Sequence, residues 1–363
     1  MNTFTKLFLA TIILCTSQIY AADTNSKMDA IMPLGLSGTM FLETKMETQV
    51  AGKEQTTFAL TRIFLNYKRN LWGPFSFKIT SDIAPGLKSS SDNDIEDSTG
   101  TSTENSITTG SERYEFFVKN AYIQADHSWE LIGINAKFGV IPTIPSLITR
   151  KLNGLRWTYH EYSFDKPSSV GVVSGDTTAD LGFSVEFRIL KLIKLTYSVC
   201  NGEGFKHPKE EYDGKAHYGT ITIMPLDTIH INGYVNHEKD EATKSFFYYG
   251  GGAAYKSKDL KIGTNFIIHG VKDTGSKAQR YHVVEAWINL LLTRFVADMP
   301  VIIAGRFAYG KPVETVIDAK TLVAGGVGYK FNKHFRALAY YESYKRKSEA
   351  GASAFYIKSE AKF

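Results

Sequence analysis

Residues 352–363 read ASAFYIKSEAKF, and the order of side chains in this last stretch decides the fold. Phe355, Ile357, Ala361 and Phe363 share one parity; Tyr356, Lys358, Glu360 and Lys362 share the other, and Ser359 is the one polar residue in the apolar row. A period of two puts successive side chains on opposite faces of a strand. One face of this strand suits lipid and the other water, the pattern of a transmembrane barrel that ends on an aromatic residue. Such a strand needs a neighbour on each side, because an open sheet edge cannot sit in hydrocarbon. A terminal strand of a soluble sandwich shows the same alternation, so the rest of the chain has to separate the two.

The other end of the chain reads as an export leader. Lys6 supplies the positive segment, Leu7 to Leu14 a short apolar segment, and Ala21 or Ala22 the small residue before a cut. Residues 1–21 are therefore expected to be a signal peptide, and 22–363 the mature domain. Only Cys200 then remains, which excludes an intrachain disulfide framework. No later apolar run reaches the ~18 residues of a spanning helix; the longest, Ala286 to Ala304, is broken by Arg294, Asp298 and Pro300. Yet the chain is 43% hydrophobic, with 20 Tyr and 23 Phe, so the apolar material has to be carried by strands. The net charge of +5 is too small to point to nucleic acid.

Alternation recurs along the chain. Leu36, Gly38, Met40 and Leu42 oppose Thr39, Phe41, Glu43 and Lys45; Ala59, Ile63, Leu65 and Tyr67 oppose Arg62 and Asn66; Phe75, Phe77 and Ile79 oppose Ser76, Lys78, Thr80 and Asp82. The clearest pair sets Leu181, Phe183, Val185, Phe187 and Ile189 outward, then Ile193, Leu195, Tyr197 and Val199. Further strands are expected at 113–126, 131–141, 216–226, 228–237, 245–257, 259–271, 280–292, 300–310, 319–331, 334–346 and 352–363, about sixteen in all. In 113–126 and 245–257 both parities carry aromatics, so the outward face stays open.

The connections alternate between short and long. With both termini in the periplasm, every short turn falls on the periplasmic side and every longer loop outside, the asymmetry of outer-membrane barrels. A soluble sandwich has no reason to sort its loops in this way. The expected fold is thus an all-β transmembrane antiparallel barrel in the bacterial outer membrane, its outer face against lipid. Tyr67, Trp72, Phe75, Trp129, Trp287, Phe331, Phe335 and Phe363 fall near strand ends, the depth of an interfacial aromatic girdle.

Two long connections stand out. Residues 85–112 hold Asp92, Asp94, Glu96, Asp97 and Glu104, but at no calcium-loop spacing, so a solvated outer loop is expected. Residues 142–177 mix Ile144, Leu147, Ile148, Leu155 and Trp157 with Arg150, Lys151, Arg156 and Lys166. A long loop of this kind is usually functional. It folds inward to narrow a lumen, or it packs over the rim or against a neighbouring subunit.

Several stretches resemble the phosphate-selective porin O and P family: FALTRIFLNYKRNLWGPFSFKITSDIA at 58–84, VKNAYIQ at 118–124, KFGVIPTIPS at 137–146, ADLGFSVEF at 179–187 and YSVCNGEGF at 197–205. Asn120 replaces the usual Asp, and beyond residue 210 the likeness is generic. The resemblance implies a sixteen-stranded barrel, usually a homotrimer, with an arginine cluster at the constriction. Arg150, Lys151 and Arg156 lie in the corresponding loop as constriction candidates.

No catalytic constellation, cofactor motif or metal-ligand spacing is present in the sequence, so an enzyme is not expected. A barrel of this size encloses water, because side chains cannot fill it. The expected function is a porin for passive diffusion of small hydrophilic solutes. By parity the inward, selectivity-setting cations are Arg62, Lys78, Arg188, Lys194, Lys261, Arg306 and Arg336, against Glu43, Asp82 and Glu186. Base exceeds acid, so a mild anion preference, phosphate among the options, is expected. Each of these cations has an ordinary alternative, an ion pair in the barrel wall. The competing function is a non-channel barrel whose outer loops act as an adhesin or anchor. A transporter of hydrophobic compounds requires an N-terminal plug, for which residues 22–33 are too short.

Overall fold

The computed structural model describes residues 35–48, 54–85, 114–143, 152, 179–202, 214–239, 244–273, 279–292, 300–312, 319–346 and 352–363. The expected leader, nearly all of the acidic stretch 85–112, and Arg150, Lys151 and Arg156 lie outside these residues. Sixteen strands alternate direction: β1 (Leu36–Thr48), β2 (Glu54–Asn70), β3 (Phe75–Pro85), β4 (Tyr114–Ser128), β5 (Ile132–Pro142), β6 (Ala179–Ile189), β7 (Ile193–Cys200) and β8 (Ala216–Leu226). The second half holds β9 (Ile229–Lys239), β10 (Lys244–Lys256), β11 (Leu260–Asp273), β12 (Gln279–Leu291), β13 (Val301–Pro312), β14 (Lys320–Lys330), β15 (Phe335–Arg346) and β16 (Ala352–Lys362). Each pairs with its sequence neighbours, and β16 pairs back onto β1, so the sheet closes without an edge. The strand positions agree with those expected from the alternation.

An eleven-residue strand such as β16, rising about 3.3 Å per residue and tilted about 40°, crosses roughly 28 Å, enough for the hydrocarbon core. Phe116, Ile123, Phe138, Phe183, Leu195, Ile231, Phe266, Phe307, Val323 and Val327 all point outward and are exposed. A continuous apolar belt on a sheet with no free edge is built for lipid. Trp72 against Phe75 (ring centroids 5.5 Å), and Phe331 between Tyr329 (4.9 Å) and Phe335 (5.2 Å), mark the periplasmic rim.

Closure is sealed at the chain terminus. The Gly38 amide donates to the Phe363 carbonyl at 2.7 Å, and the Phe363 amide donates back at 3.1 Å. The Phe363 ring covers Gly38 so closely that a Cβ there would lie 2.1 Å from Phe363 Cζ. A Gly38→Leu variant is therefore expected to lose about 1–3 kcal/mol through overpacking. The urea midpoint in detergent micelles reads this; an unchanged midpoint would show that the ring does not seat on Gly38.

Three bulges correct the simple parity reading. Between Phe41 and Leu42 the register to β2 shifts from Arg62 to Leu60, leaving Thr61 as the extra residue; its hydroxyl donates to the Phe41 carbonyl at 3.2 Å. Leu60, not Ala59, consequently joins Ile63 and Leu65 on the outer face. Opposite Thr80 and Ser81 the partner jumps from Asn120 to Val118, so Lys119 is the extra residue. Tyr114, Phe116 and Val118 face outward before it, and Ala121, Ile123 and Ala125 after it. Phe116 points outward and its neighbour Phe117 inward, so both parities of 113–126 carry aromatics, and beyond the bulge the two faces exchange parity. In β8, Met224 and Pro225 fall between the partners of Ile231 and Ile229, a position where a residue without an amide hydrogen fits.

One girdle assignment is overturned. Trp287 shares its parity with Glu285 and Asn289, faces the lumen and is 2% exposed. Its ring lies over Gly263, where a Cβ would sit 2.4 Å from Trp287 Cζ2. Leu152, from the long connection after β5, is buried in one cluster with Ala254 and Trp287, both inward-facing. At that residue, the loop reaches inside the barrel.

Candidate functional site

All seven cations expected to line the lumen sit on inward rows, but four of them meet carboxylates. Arg62 Nε donates to Asp82 Oδ1 at 2.9 Å, and Lys119 Nζ reaches Asp82 Oδ2 at 3.3 Å. Both cations also lie over the Phe64 ring, at 5.4 and 5.3 Å from its centroid. The bulge at Lys119 is what turns this lysine toward Asp82. Arg306 Nη2 pairs with Glu285 Oε1 at 2.6 Å, both side chains at most 2% exposed. Arg188 pairs with Asp126, which also accepts from Asn135 Nδ2 at 3.0 Å, and Arg336 pairs with Glu360. Lys358, absent from the expected set, bonds Glu43 at 2.6 Å and lies over Tyr356, 4.8 Å from its centroid. These pairs largely cancel as long-range fields and act mainly on the wall.

The remaining lysines fall into a different pattern. Lys68 is the direct cross-strand partner of Lys78 on β2–β3, and Arg188 of Lys194 on β6–β7. Lys256 faces Lys261 on β10–β11, and Lys330 faces Arg336 on β14–β15. Every second periplasmic hairpin thus carries two inward cations opposite each other, next to its turn. Among the described residues, no carboxylate forms an ion pair with Lys194, Lys256 or Lys261. Between the β10–β11 and β14–β15 turns opens a recess of about 230 Å³, lined by Lys258, Lys261, Lys330, Lys333, Arg336 and Lys362, with Asp259 and Glu360 as its acids.

Reading the inward face strand by strand found Lys78, Lys194, Lys261 and Arg336 but missed Lys68, Lys256 and Lys330. The signal was available: a cation on each stem of a short turn, equally far from its centre. Arg150, Lys151 and Arg156 flank Leu152 in sequence but lie outside the described residues.

Neither a family model nor any curated protein matches the sequence. Solved structures do match. OmpT of Vibrio cholerae superposes with a TM-score of 0.58 at 12% identity, covering 90% of this chain and 97% of that one. An anion-selective porin from Comamonas acidovorans gives 0.62 at 8% identity, with 90% and 98% covered. The outer-membrane channel DcaP of Acinetobacter baumannii gives 0.57 at 10% identity, with 90% and 96% covered. The likeness is one of fold. Together with the closed sheet and its apolar outer belt, it places the chain among the β-barrels of the bacterial outer membrane, in the porin architecture.

Proposed function

We propose that this barrel is a passive channel for small hydrophilic solutes with a mild preference for anions, and that it is not an enzyme. The observation that carries the reading is Lys256 directly opposite Lys261 at the β10–β11 turn, with Lys194 at the β6–β7 turn, three inward cations that no carboxylate among the described residues pairs. Like charges directly opposite on a sheet are destabilising, so the fold alone gives no reason to place them there. A ring of cations at a water-filled mouth raises the local concentration of anions. The effect is greatest in dilute salt, since the Debye length is about 10 Å at 0.1 M and 3 Å at 1 M.

The test is the reversal potential of purified protein in planar bilayers under a KCl gradient. Wild-type protein is expected to reverse on the chloride side of zero, and the triple variant Lys194→Gln, Lys256→Gln, Lys261→Gln close to zero. Cation preference in the wild type would overturn the anion reading, and absence of conductance steps would overturn the channel itself. Because Leu152 packs inside the barrel, Arg150→Gln, Lys151→Gln and Arg156→Gln form a second arm. Loss of anion preference in that arm would locate the filter in the long loop. Replacing chloride by phosphate in the same gradient tests the finer preference implied by the sequence resemblance. The assembly proposed is a homotrimer, read by light scattering of the detergent complex.

A further inference from the structure

The recess of about 230 Å³ at the periplasmic mouth joins charge to an apolar lining. Lys258 and Lys333 are exposed on its two turns, and Lys261 and Lys330 stand on the adjoining strands. Among the described residues, none of these four forms an ion pair with a carboxylate. Of the two acids in the lining, Glu360 is held by Arg336 and Lys362, and Asp259 is buried. Leu290, Leu291, Ile302 and Phe335 supply the apolar part of the same recess.

Both turns are fixed by their own hydrogen bonds. The Leu260 amide donates to Ser257 Oγ at 3.0 Å, and the Ser257 amide to the Leu260 carbonyl at 2.8 Å. Asn332 Oδ1 accepts from the amides of His334 and Phe335, both at 2.7 Å. Neighbouring strands brace the turns: the Leu291 amide donates to the Asp259 carbonyl at 2.7 Å, and the Lys362 amide to the His334 carbonyl at 2.8 Å. Four unopposed cations are thus held round one concavity against their mutual repulsion, on backbone that is already in place. A field that only steers anions needs neither a concavity nor apolar lining. The two together describe a place where a ligand stops.

We propose that this recess binds a small organic polycarboxylate, several negative groups on a short carbon skeleton, as it passes the periplasmic mouth. The proposal deepens the anion reading and rests on it. A single ion pair at a wet surface is weak, so a monovalent anion is not retained. Carboxylates joined in one ligand meet several lysines for a single loss of translational freedom. The recess already shows how it takes such a group, since Arg336 and Lys362 both meet the Glu360 carboxylate. The carbon skeleton covers Leu291 and Ile302, which an inorganic anion of equal charge leaves wet. The recess is smaller than the pockets that hold drug-sized ligands, which suits a body of a few carbons.

The experiment is calorimetric titration of the purified protein in detergent with tricarballylate, inorganic phosphate and acetate. Tricarballylate is expected to bind once per chain, about tenfold more tightly than phosphate, with acetate not saturating in the same range. Lys258→Gln and Lys333→Gln, at exposed turn positions that leave the strand ladder intact, are each expected to weaken tricarballylate about tenfold, the loss of one charge-assisted contact. Leu291→Ala is expected to weaken tricarballylate about threefold and phosphate not at all. Lys191→Gln, on the β6–β7 turn outside the recess, is expected to leave the affinity unchanged. Phosphate binding as tight as tricarballylate overturns the organic ligand. Absence of saturation, or an equal loss in Lys191→Gln, overturns the recess as a site. The reversal potential of the same preparation separates these failures from that of the reading beneath: anion preference without saturable binding strikes the site alone, and cation preference strikes both.

Discussion

Replacing Asp82 with leucine is expected to destabilise the folded barrel by about 3–5 kcal/mol, the cost of leaving buried charge uncompensated. Asp82 is 1% exposed and takes two cations, Arg62 at 2.9 Å and Lys119 at 3.3 Å. Lys119 is itself 3% exposed at its side chain and stands on a bulge that aims it at this carboxylate. With Asp82 gone, two positive groups converge on a space that cannot hydrate them fully, and the aromatic face of Phe64 offsets only part of the loss. The measurement is the urea midpoint in micelles, followed by the gel shift between folded and heat-unfolded forms. Adding Lys119→Met in the Asp82→Leu background is expected to recover much of the loss. A single variant as stable as wild type would show that Asp82 is not the anchor of this cluster.

Glu285→Leu is the second large effect, again about 3–5 kcal/mol. Its partner Arg306 is buried on the opposing strand β13 and meets Glu285 at 2.6 Å. Removing the acid strands a guanidinium that cannot deprotonate. The double variant Glu285→Leu, Arg306→Met keeps the volume and removes both charges, so it is expected to return close to wild-type stability. This pair also separates wall from filter. Because Arg306 is already neutralised, the double variant is expected to leave the reversal potential where it was, whereas the lysine variants at the mouth move it.

Much of the architecture was legible because lipid imposes a simple code. A strand that crosses a membrane has to present apolar groups on one side, and the alternation in 178–190, 192–201 and 352–363 states this residue by residue. Where that code was interrupted, the reading slipped. Thr61 and Lys119 each insert one residue, and everything beyond them changes face. Nothing in FALTRIF or VKNAYIQ announces which residue will bulge, since that depends on what the neighbouring strand offers. Trp287 was misplaced for another reason. Its distance from a strand end resembled that of a girdle residue, yet Glu285 and Asn289, which share its parity, already marked its face as inward.

The candidate site was half legible. Parity names which cations face the lumen, but it cannot tell a paired cation from an unopposed one. Arg306 and Lys261 look alike on a list; one meets Glu285, and the other faces Lys256.

By itself, then, the sequence determined that this is a closed barrel of about sixteen crossings, which side meets lipid in the strands whose alternation is unbroken, and which ends carry short turns. These follow from period two and loop length, both local properties of the chain. Only the tertiary structure decided the rest: which acid meets which base, that Leu152 reaches inside the barrel, and that Lys258, Lys261, Lys330 and Lys333 stand round one recess. The physical reason is register. Cross-strand partners lie far apart in sequence, and one bulge shifts every pairing beyond it, so neighbourhood in the lumen is set by the hydrogen-bonded ladder rather than by the order of residues.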